Sequence, residues 1–145
     1  MIGSFRGEYN FLSNMHDCQI NHLGHMFNSV EHAYMFSKNP LDKDWLNKCL
    51  TLSASEIKKQ SKSIKLRDDW NDVRLPIMFG LLRQKFSKEP FRSRLINTGN
   101  ENIVEGNSWG DIFWGVDIKK TPNIGENWMG RLLMDIRNKI RNNKI

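Results

Sequence analysis

The sequence predicts a small α+β domain that is mostly helical and carries a few short strands. Apolar residues recur at helical spacing over residues 75–86 and 128–140, and serines typical of helix caps precede two further segments. The strand-like runs are short and lie beside turn residues. Because a chain of 145 residues suits one domain, we expect residues 1–145 to form a single one.

The N-terminal part is expected to hold extended structure. Residues 5–12 are aromatic and interrupted by glycine, which predicts a short strand or an extended segment. Residues 18–22 and 25–28 flank the pair Leu23-Gly24, and this arrangement predicts a short hairpin.

Three short helices should follow the hairpin. Ser29 is typical of an N-cap and predicts a helix over residues 30–36, and residues 41–50 form a second candidate. The sequence SASE at residues 53–56 matches a capping box, so we expect a third helix that runs to about residue 62.

The second half of the chain predicts three further helices. Proline suits the first turn of a helix, and glycine often follows its last turn. On these signals the helices are residues 75–86 with Pro76 in the first turn, a segment opened by Pro90 and closed by Gly99, and residues 128–140 with Asn127 as the cap.

The segment EGNSWGDIFWG, residues 105–115, is the most unusual part of the sequence. It holds two tryptophans, two carboxylates, an asparagine and three glycines. Glycine at that density disfavours a helix, and a plain surface loop would not carry three large aromatic rings. We expect either a bent loop that lines a ligand cleft or a packed turn, with short strands at 103–104 and 112–113 on either side.

Composition restricts the classes of function. No apolar run reaches the length that spans a bilayer, and the N-terminus lacks a signal-peptide pattern, so we expect no membrane partner. Cys18 and Cys49 form no paired motif and predict reduced, buried thiols in a cytoplasmic protein. The formal charge of +6 permits an anionic partner. Four cations near the C-terminus suit either a helix dipole or a nucleic acid: Arg137, Lys139, Arg141 and Lys144.

Glu31 is the first candidate for chemistry, in the first turn of its predicted helix. A carboxylate there stabilises the helix dipole, and in a partly dry pocket it can also activate a water molecule or stabilise positive charge. His32 follows directly but points about 100° away around the helix. The four histidines lack metal-ligand spacing, and no phosphate-binding glycine loop or nucleophile elbow occurs, so no metal or cofactor is expected.

A second basic feature lies in SKSIKLRDDW, residues 61–70. Lys62, Lys65 and Arg67 form either a solvated charged turn or a clamp for a phosphate group.

Taken in order, the motifs of the chain resemble those of the NADAR family, also called YbiA-like N-glycosidases. The resemblance covers residues 5–140 and rests on six motifs: YNFLSN (9–14), FNSVEHAYMFSK (27–38), KLRDDW (65–70), KF (85–86), TGNENIVEGNSWGDIFWG (98–115) and GENWMGRLLMDIR (125–137).

This resemblance implies a small, largely helical α+β fold and hydrolysis of an N-glycosidic bond between a ribose and a base or amine. Members are linked to phosphoribosylamine intermediates of riboflavin synthesis, or to NAD and ADP-ribose, including ADP-ribose on guanine in nucleic acid. By motif, Glu31 would be the catalytic carboxylate, and the substrate pocket would be lined by Asn14, Trp109, Asp111 and Trp114. Because glycosidases use paired carboxylates, Glu31 and Asp111 are also the candidate catalytic pair.

The sequence departs from its relatives at one point and leaves three functions open. Many relatives carry Gly-Arg where this chain has Ser61-Lys62, and lysine lacks the bidentate fork of arginine. The functions are an N-glycosidase for a small ribosyl compound, an enzyme that removes ADP-ribose from nucleic acid, and a non-enzymatic ADP-ribose binding module. Because Glu31 is kept in its motif, the binding module is the least favoured.

Overall fold

The computed structural model describes residues 1–145 and divides into two compact units. The first unit contains Met1–Ser13 and Phe86–Ile145, and the second contains Asn14–Lys85. Six α-helices and two 3-10 helices account for most of the regular structure, and the strands are two or three residues long. The expected α+β class, mostly helical with short strands, is confirmed; the single domain over residues 1–145 stays a prediction.

The second unit is built around a helix that is buried on all sides. The hairpin of β1 (Ile20–His22) and β2 (His25–Phe27) leads into α1 (Val30–Ser37), followed by α2 (Lys43–Thr51) and α3 (Ala54–Gln60). Every residue of α1 is buried, because the hairpin, α2 and α3 all pack against it. A helix with apolar residues all round needs such surroundings.

The hairpin and the caps confirm the local predictions for this unit. Leu23 and Gly24 have φ of 50° and 83°, the paired positive values that a two-residue hairpin turn requires. The side chain of Ser29 accepts a hydrogen bond from the backbone of His32, and that of Ser53 accepts one from Glu56. The third helix ends at Gln60 and continues as a 3-10 helix, Ser61–Ser63.

Helix α4 (Trp70–Phe86) corrects the prediction of a start near residue 75. Pro76 lies inside the helix instead of in its first turn. The first turn forms earlier because the backbone N–H groups of Asp72 and Val73 both bond to the carbonyl of Asp69.

In the first unit, the extended segment expected at residues 5–12 is wrong. A 3-10 helix (Gly7–Leu12) forms instead, with bonds from Tyr9 to Arg6 and from Ser13 to Asn10. Pairing of the N-terminus is limited to Ile2, which forms an isolated parallel bridge with Ile103.

The remaining elements of this unit are α5 (Phe91–Ile96), β3 (Gly106–Asn107), β4 (Val116–Asp117) and α6 (Trp128–Arg141). Strands β3 and β4 pair in parallel, so the predicted strands at 103–104 and 112–113 are misplaced by three or four residues. Helix α6 buries Leu133, Ile136 and Ile140 and packs against α5, which confirms its predicted apolar face.

Candidate active site

The N-cap of α1 places Glu31 in the first turn, where its side chain is 7% exposed. Its backbone N–H donates to the carbonyl oxygen of Asn14 at 2.9 Å. The structure therefore brings together two predicted site residues that lie in different motifs, YNFLSN and FNSVEHAYMFSK.

The side chain of Asn14 has an acceptor that the protein does not use. Its Nδ2 lies 3.6 Å from the sulfur of Met78, whereas Oδ1 is buried and accepts no hydrogen bond. Buried polar atoms usually have a partner, so Oδ1 is available to a donor on a bound molecule.

Lys38 occupies the other end of the helix face that carries Glu31. Its Nζ lies 3.5 Å from Oγ of Ser61 and 6.0 Å from the centre of the Trp70 ring, whose neighbour at 5.1 Å is the ring of Tyr34. We call Tyr34, Lys38, Ser61 and Trp70 the Lys38 cluster. Burial lowers the pKa of Lys38, the carboxylate of Glu31 raises it, and Lys58 lowers it.

His32 has a structural role. The Ser29 hydroxyl lies 2.6 Å from its Nδ1, and its Nε2 lies 2.8 Å from the carbonyl oxygen of Leu52. Since a carbonyl only accepts, Nε2 carries the hydrogen that is donated to Leu52. The ring thus joins the start of α1 to the end of α2.

The predicted basic turn is only partly assembled. Lys65 and Arg67 line an open cavity of about 560 Å³ together with residues 39–41, whereas Lys62 is exposed on the 3-10 helix after α3 and does not line it. The guanidinium of Arg67 makes a bidentate ion pair with Asp69 at 2.6 and 3.1 Å. This pair neutralises Arg67 inside the turn. A phosphate clamp built from all three cations stays a prediction.

In the first unit, Asn107 organises the loop that carries the aromatic residues. It is 3% exposed, and its Nδ2 donates to the carbonyls of Asp111 and Val116 at 2.8 and 3.2 Å. Its Oδ1 accepts from the backbone of Trp109 and Asp111 at 3.3 and 3.0 Å.

Asp111 closes the next turn of the loop. Its Oδ1 accepts from the backbone N–H groups of Phe113 and Trp114 at 3.1 and 3.0 Å. A Cβ at Gly115 would lie 2.2 Å from the carbonyl oxygen of Glu105, so only glycine fits where the loop returns. One oxygen of Asp111 therefore holds the backbone, and a catalytic role for this carboxylate stays a prediction.

The two tryptophans of the loop differ in environment. Trp109 is 59% exposed, whereas Trp114 is half-buried and meets the ring of Phe113 edge-on at 4.9 Å. One ring of the loop is therefore packed and the other is exposed, and a ligand surface at Trp109 stays a prediction.

The same loop caps helix α6. The backbone N–H groups of residues 126–129 donate to carbonyls of residues 112–115, so the first turn needs no side-chain cap. Asn127 lies at the predicted N-cap position with a φ of 55°, but its side chain makes no cap hydrogen bond. Its side chain instead accepts from the backbone of Glu105 and donates to the carbonyl of Ile103.

The predicted row of C-terminal cations does not form one surface. Arg137 is 6% exposed and donates to Thr98 at 2.8 Å, and Lys139 pairs with Asp135. Arg141 donates to Asn100 at 2.9 Å and to the carbonyl of Gly99. Each of these three cations is engaged within the first unit.

Other features of the chain bear on metals, thiols and membranes. The structure holds no group of three or more His, Cys, Asp or Glu residues arranged to bind a metal ion. Neither cysteine forms a disulfide, and Cys49 is buried whereas Cys18 is half-buried. No helix has the length and apolar character required to cross a bilayer.

Sequence reasoning missed three residues that organise the two regions: Lys38, Ser61 and Asn107. Lys38 lies seven residues after Glu31, a spacing of two helical turns that predicts a shared face. Asn107 precedes the glycine-rich turn, where Asn commonly bonds to backbone. The contact of Ser61 with Lys38 joins segments that are far apart in sequence and carries no local signal.

Comparison with known proteins agrees with this architecture. The sequence model of the NADAR domain matches residues 4–141. The solution structure of the E. coli protein YbiA superposes with a TM-score of 0.79 at 25% identity, over 99% of this chain and 89% of that chain.

Two curated relatives carry functional names. A riboflavin biosynthesis protein of Vibrio vulnificus is 29% identical over 137 residues, which are 92% of this chain and 36% of that protein. An N-glycosidase of Nostoc punctiforme is 33% identical over 120 residues, 79% of this chain and 74% of that protein. The chain thus spans about a third of the length of the Vibrio protein and most of the Nostoc protein.

Proposed function

The chain belongs to the NADAR family, and on that premise we propose that it is an N-glycosidase acting on a phosphoribosyl or ADP-ribosyl compound. The Nostoc relative is named an N-glycosidase and the Vibrio relative a riboflavin biosynthesis protein, which supports a ribosyl substrate. Intermediates of riboflavin synthesis and derivatives of NAD or ADP-ribose are the substrate classes that follow.

Glu31 is the residue on which the proposal rests. A carboxylate that is 7% exposed, at the start of a fully buried helix, has little access to bulk water. Breaking the C1′–N bond builds positive charge on the ribose, which a nearby carboxylate stabilises electrostatically. Water attacks C1′ as the C1′–N bond breaks, and one of its protons passes to the carboxylate. That proton ends on the released nitrogen, so the products are the ribose with a C1′ hydroxyl and the free base or amine, and the carboxylate is regenerated.

The other predicted residues have supporting roles in the proposal. Asn14, with its unused Oδ1, would accept a hydrogen bond from a ribose hydroxyl. The exposed ring of Trp109 would stack on a base, for about 1–3 kcal/mol, and Trp114 would support the loop. Asp111 would hold that loop through its two backbone bonds rather than act as a second acid or base.

This chemistry needs no metal ion and no organic cofactor, because water is the nucleophile and the carboxylate handles charge and proton. Hydrolysis that survives extensive dialysis against EDTA, with elemental analysis of the protein, would agree with this. Activity that is lost on chelation and restored by a divalent ion would contradict it.

Product analysis by mass spectrometry tests the function directly. The protein is incubated with a riboflavin-pathway ribosylamine, with NAD and ADP-ribose, and with ADP-ribosylated guanine DNA. Release of a free base or amine together with the matching ribose product from one of the first two groups would support the proposal. Release from DNA alone would favour the nucleic-acid alternative, and binding of ADP-ribose with no product would favour a binding module.

A further inference from the structure

The Lys38 cluster places a half-buried ammonium on the helix face that carries Glu31. We propose that Lys38 binds the 5′-phosphate of a ribosyl substrate and that Ser61 is a positioning residue that holds the Lys38 ammonium in place. This inference rests on the proposed function, because it assigns a substrate class to the same site.

The spacing along α1 suits a phosphorylated ribose. Glu31 and Lys38 are seven residues apart, so they lie on one face and about 10 Å apart along the helix axis. The carboxylate of Glu31 raises the pKa of Lys38, as expected for opposite charges on one helix face. A ribose whose C1′ faces Glu31 would place its 5′-phosphate towards Lys38.

The contacts of Lys38 leave its charge available. Its ammonium donates to the Ser61 hydroxyl at 3.5 Å and lies 6.0 Å from the centre of the Trp70 ring, and it takes part in no salt bridge. An ammonium has three donors, and Ser61 occupies one of them. Two donors thus remain for phosphate oxygens.

Ser61 controls where the ammonium lies. Its side chain is 6% exposed, and the hydroxyl donates to the carbonyl of Lys58 at 2.8 Å, which leaves its lone pair directed at Lys38. Lysine has a long, flexible stem, so without this acceptor the ammonium can move away from Glu31.

Among the cations of the second unit, Lys38 suits phosphate better than those of the predicted turn. Arg67 is neutralised by Asp69, and Lys62 and Lys65 are exposed, where water screens their charge. A half-buried ammonium is screened less and binds a phosphate more strongly.

Binding of ligands, measured by titration calorimetry, tests the inference without requiring turnover. The probes are ribose 5-phosphate, ADP-ribose and unphosphorylated ribose, and the variants are Lys38→Met, Ser61→Ala and Ser61→Thr. Lys59→Met is the matched control, because Lys59 is an exposed lysine on the neighbouring helix α3. Thermal melts verify that each variant is folded.

We expect the wild-type protein to bind ribose 5-phosphate or ADP-ribose more tightly than ribose. Lys38→Met should raise the Kd of the phosphorylated ligand by about tenfold to a hundredfold, the range for a charged hydrogen bond. The Kd of ribose should stay unchanged. Ser61→Ala should raise the Kd of the phosphorylated ligand by about two- to tenfold. Ser61→Thr should bind this ligand as tightly as wild type, because the hydroxyl is kept. Tighter binding of ribose 5-phosphate would indicate a phosphate monoester as substrate, and tighter binding of ADP-ribose would indicate an ADP-ribosyl substrate.

Three results would overturn the inference. They are wild-type protein that binds ribose as tightly as the phosphorylated probes, Lys38→Met that binds the phosphorylated probes as tightly as wild type, and Ser61→Ala that matches wild type. The expected binding pattern without any hydrolysis would instead support phosphate recognition and refute the enzyme proposal. The two proposals therefore fail separately.

Discussion

The backbone N–H of Glu31 donates a hydrogen bond to the carbonyl oxygen of Asn14 over 2.9 Å. The first N–H groups of a helix have no partner within it, and Ser29 serves only that of His32. The bond to Asn14 satisfies a second such group and fixes the turn that carries the buried carboxylate. Two motifs of the sequence thus meet at one backbone contact.

Glu31→Gln should keep the fold and lower the rate of hydrolysis by about 10²- to 10⁴-fold. The amide has nearly the shape of the carboxylate but can neither take a proton nor oppose positive charge on the ribose. The measurements are kcat on the substrate found by product analysis and a thermal melt.

The matched control for this variant is Glu56→Gln, which removes a carboxylate from the first turn of α3. Both changes weaken a helix-dipole interaction worth about 0.3–1 kcal/mol, so their melts should be similar. A Glu31→Gln enzyme with near wild-type turnover would remove Glu31 from the mechanism.

Asp111→Asn and Asp111→Ala should behave differently. Asparagine keeps an oxygen that can accept from Phe113 and Trp114, whereas alanine leaves both N–H groups without their partner. We expect Asn to retain the loop and most activity, and Ala to expose residues 111–116 to amide hydrogen exchange. If Asn abolishes turnover while exchange is unchanged, Asp111 is catalytic, as its pairing with Glu31 in the sequence analysis supposed.

Trp109→Ala should lower affinity for the substrate with little loss of stability, because a ring that is 59% exposed buries little surface. Trp114→Ala should lower the free energy of unfolding by about 1–3 kcal/mol, since it removes a half-buried ring and its edge contact with Phe113. Melts and ligand titrations on both variants give the comparison. A Trp109→Ala protein that binds ligand normally would exclude base stacking on this ring.

Local chemistry explains which parts of the fold were predictable. The turn at Leu23-Gly24, the caps at Ser29 and Ser53 and the apolar face of α6 all depend on residues close in sequence, and each prediction is confirmed. The prediction of an extended segment at residues 5–12 is wrong because aromatic residues with a glycine also fit a 3-10 helix, in which the hydrogen bonds join residues three apart.

The site was predictable only to the level of motifs. Glu31 is a candidate from its place in the predicted helix and Asn14 from the family resemblance, but their backbone contact joins residues that are far apart in the sequence. The residue type of Asn127 predicts a side-chain cap for α6. In the structure, backbone carbonyls of the aromatic loop already accept from the N–H groups at that helix end, and the Asn127 side chain bonds to Ile103 instead. The partner of Lys38 depends on how α1 and the residues after α3 pack, which no local pattern encodes.

Truncation of residues 141–145 should leave the salt dependence of binding to ADP-ribosylated DNA unchanged. It removes Arg141 and Lys144, and Arg141 is already bonded to Gly99 and Asn100. The expected cost is about 1 kcal/mol of stability from the lost hydrogen bonds. Truncation of residues 142–145, which keeps Arg141, is the control. A slope of log affinity against log salt that flattens by about one to two units would favour nucleic acid as a partner.

Lys85 should make the protein more stable as pH rises above 8. Its side chain is 2% exposed, and burial lowers its pKa to about 8, against an effect of Cys18 that raises it. Above that pH the folded protein holds Lys85 neutral, whereas the unfolded chain keeps it charged up to about 10.5. The unfolded state therefore binds more protons in this window, and the free energy of unfolding rises with pH by about 1.4 kcal/mol for each unit.

Cys49 opposes this trend at higher pH, because burial raises the pKa of its thiol to about 12 and the unfolded chain loses that proton from about 9 upward.

The comparison of wild type with Lys85→Met isolates the effect of the lysine, since both proteins contain Cys49. We expect Lys85→Met to be more stable than wild type at pH 7, and the difference to shrink steadily between pH 8 and 10. Methionine has a similar length and no charge, so it should fill the same space. Lys88→Met, an exposed lysine nearby, should leave the pH profile of unfolding unchanged. Equal stability of Lys85→Met and wild type at every pH, measured by urea unfolding, would mean that the buried ammonium is fully compensated by its surroundings.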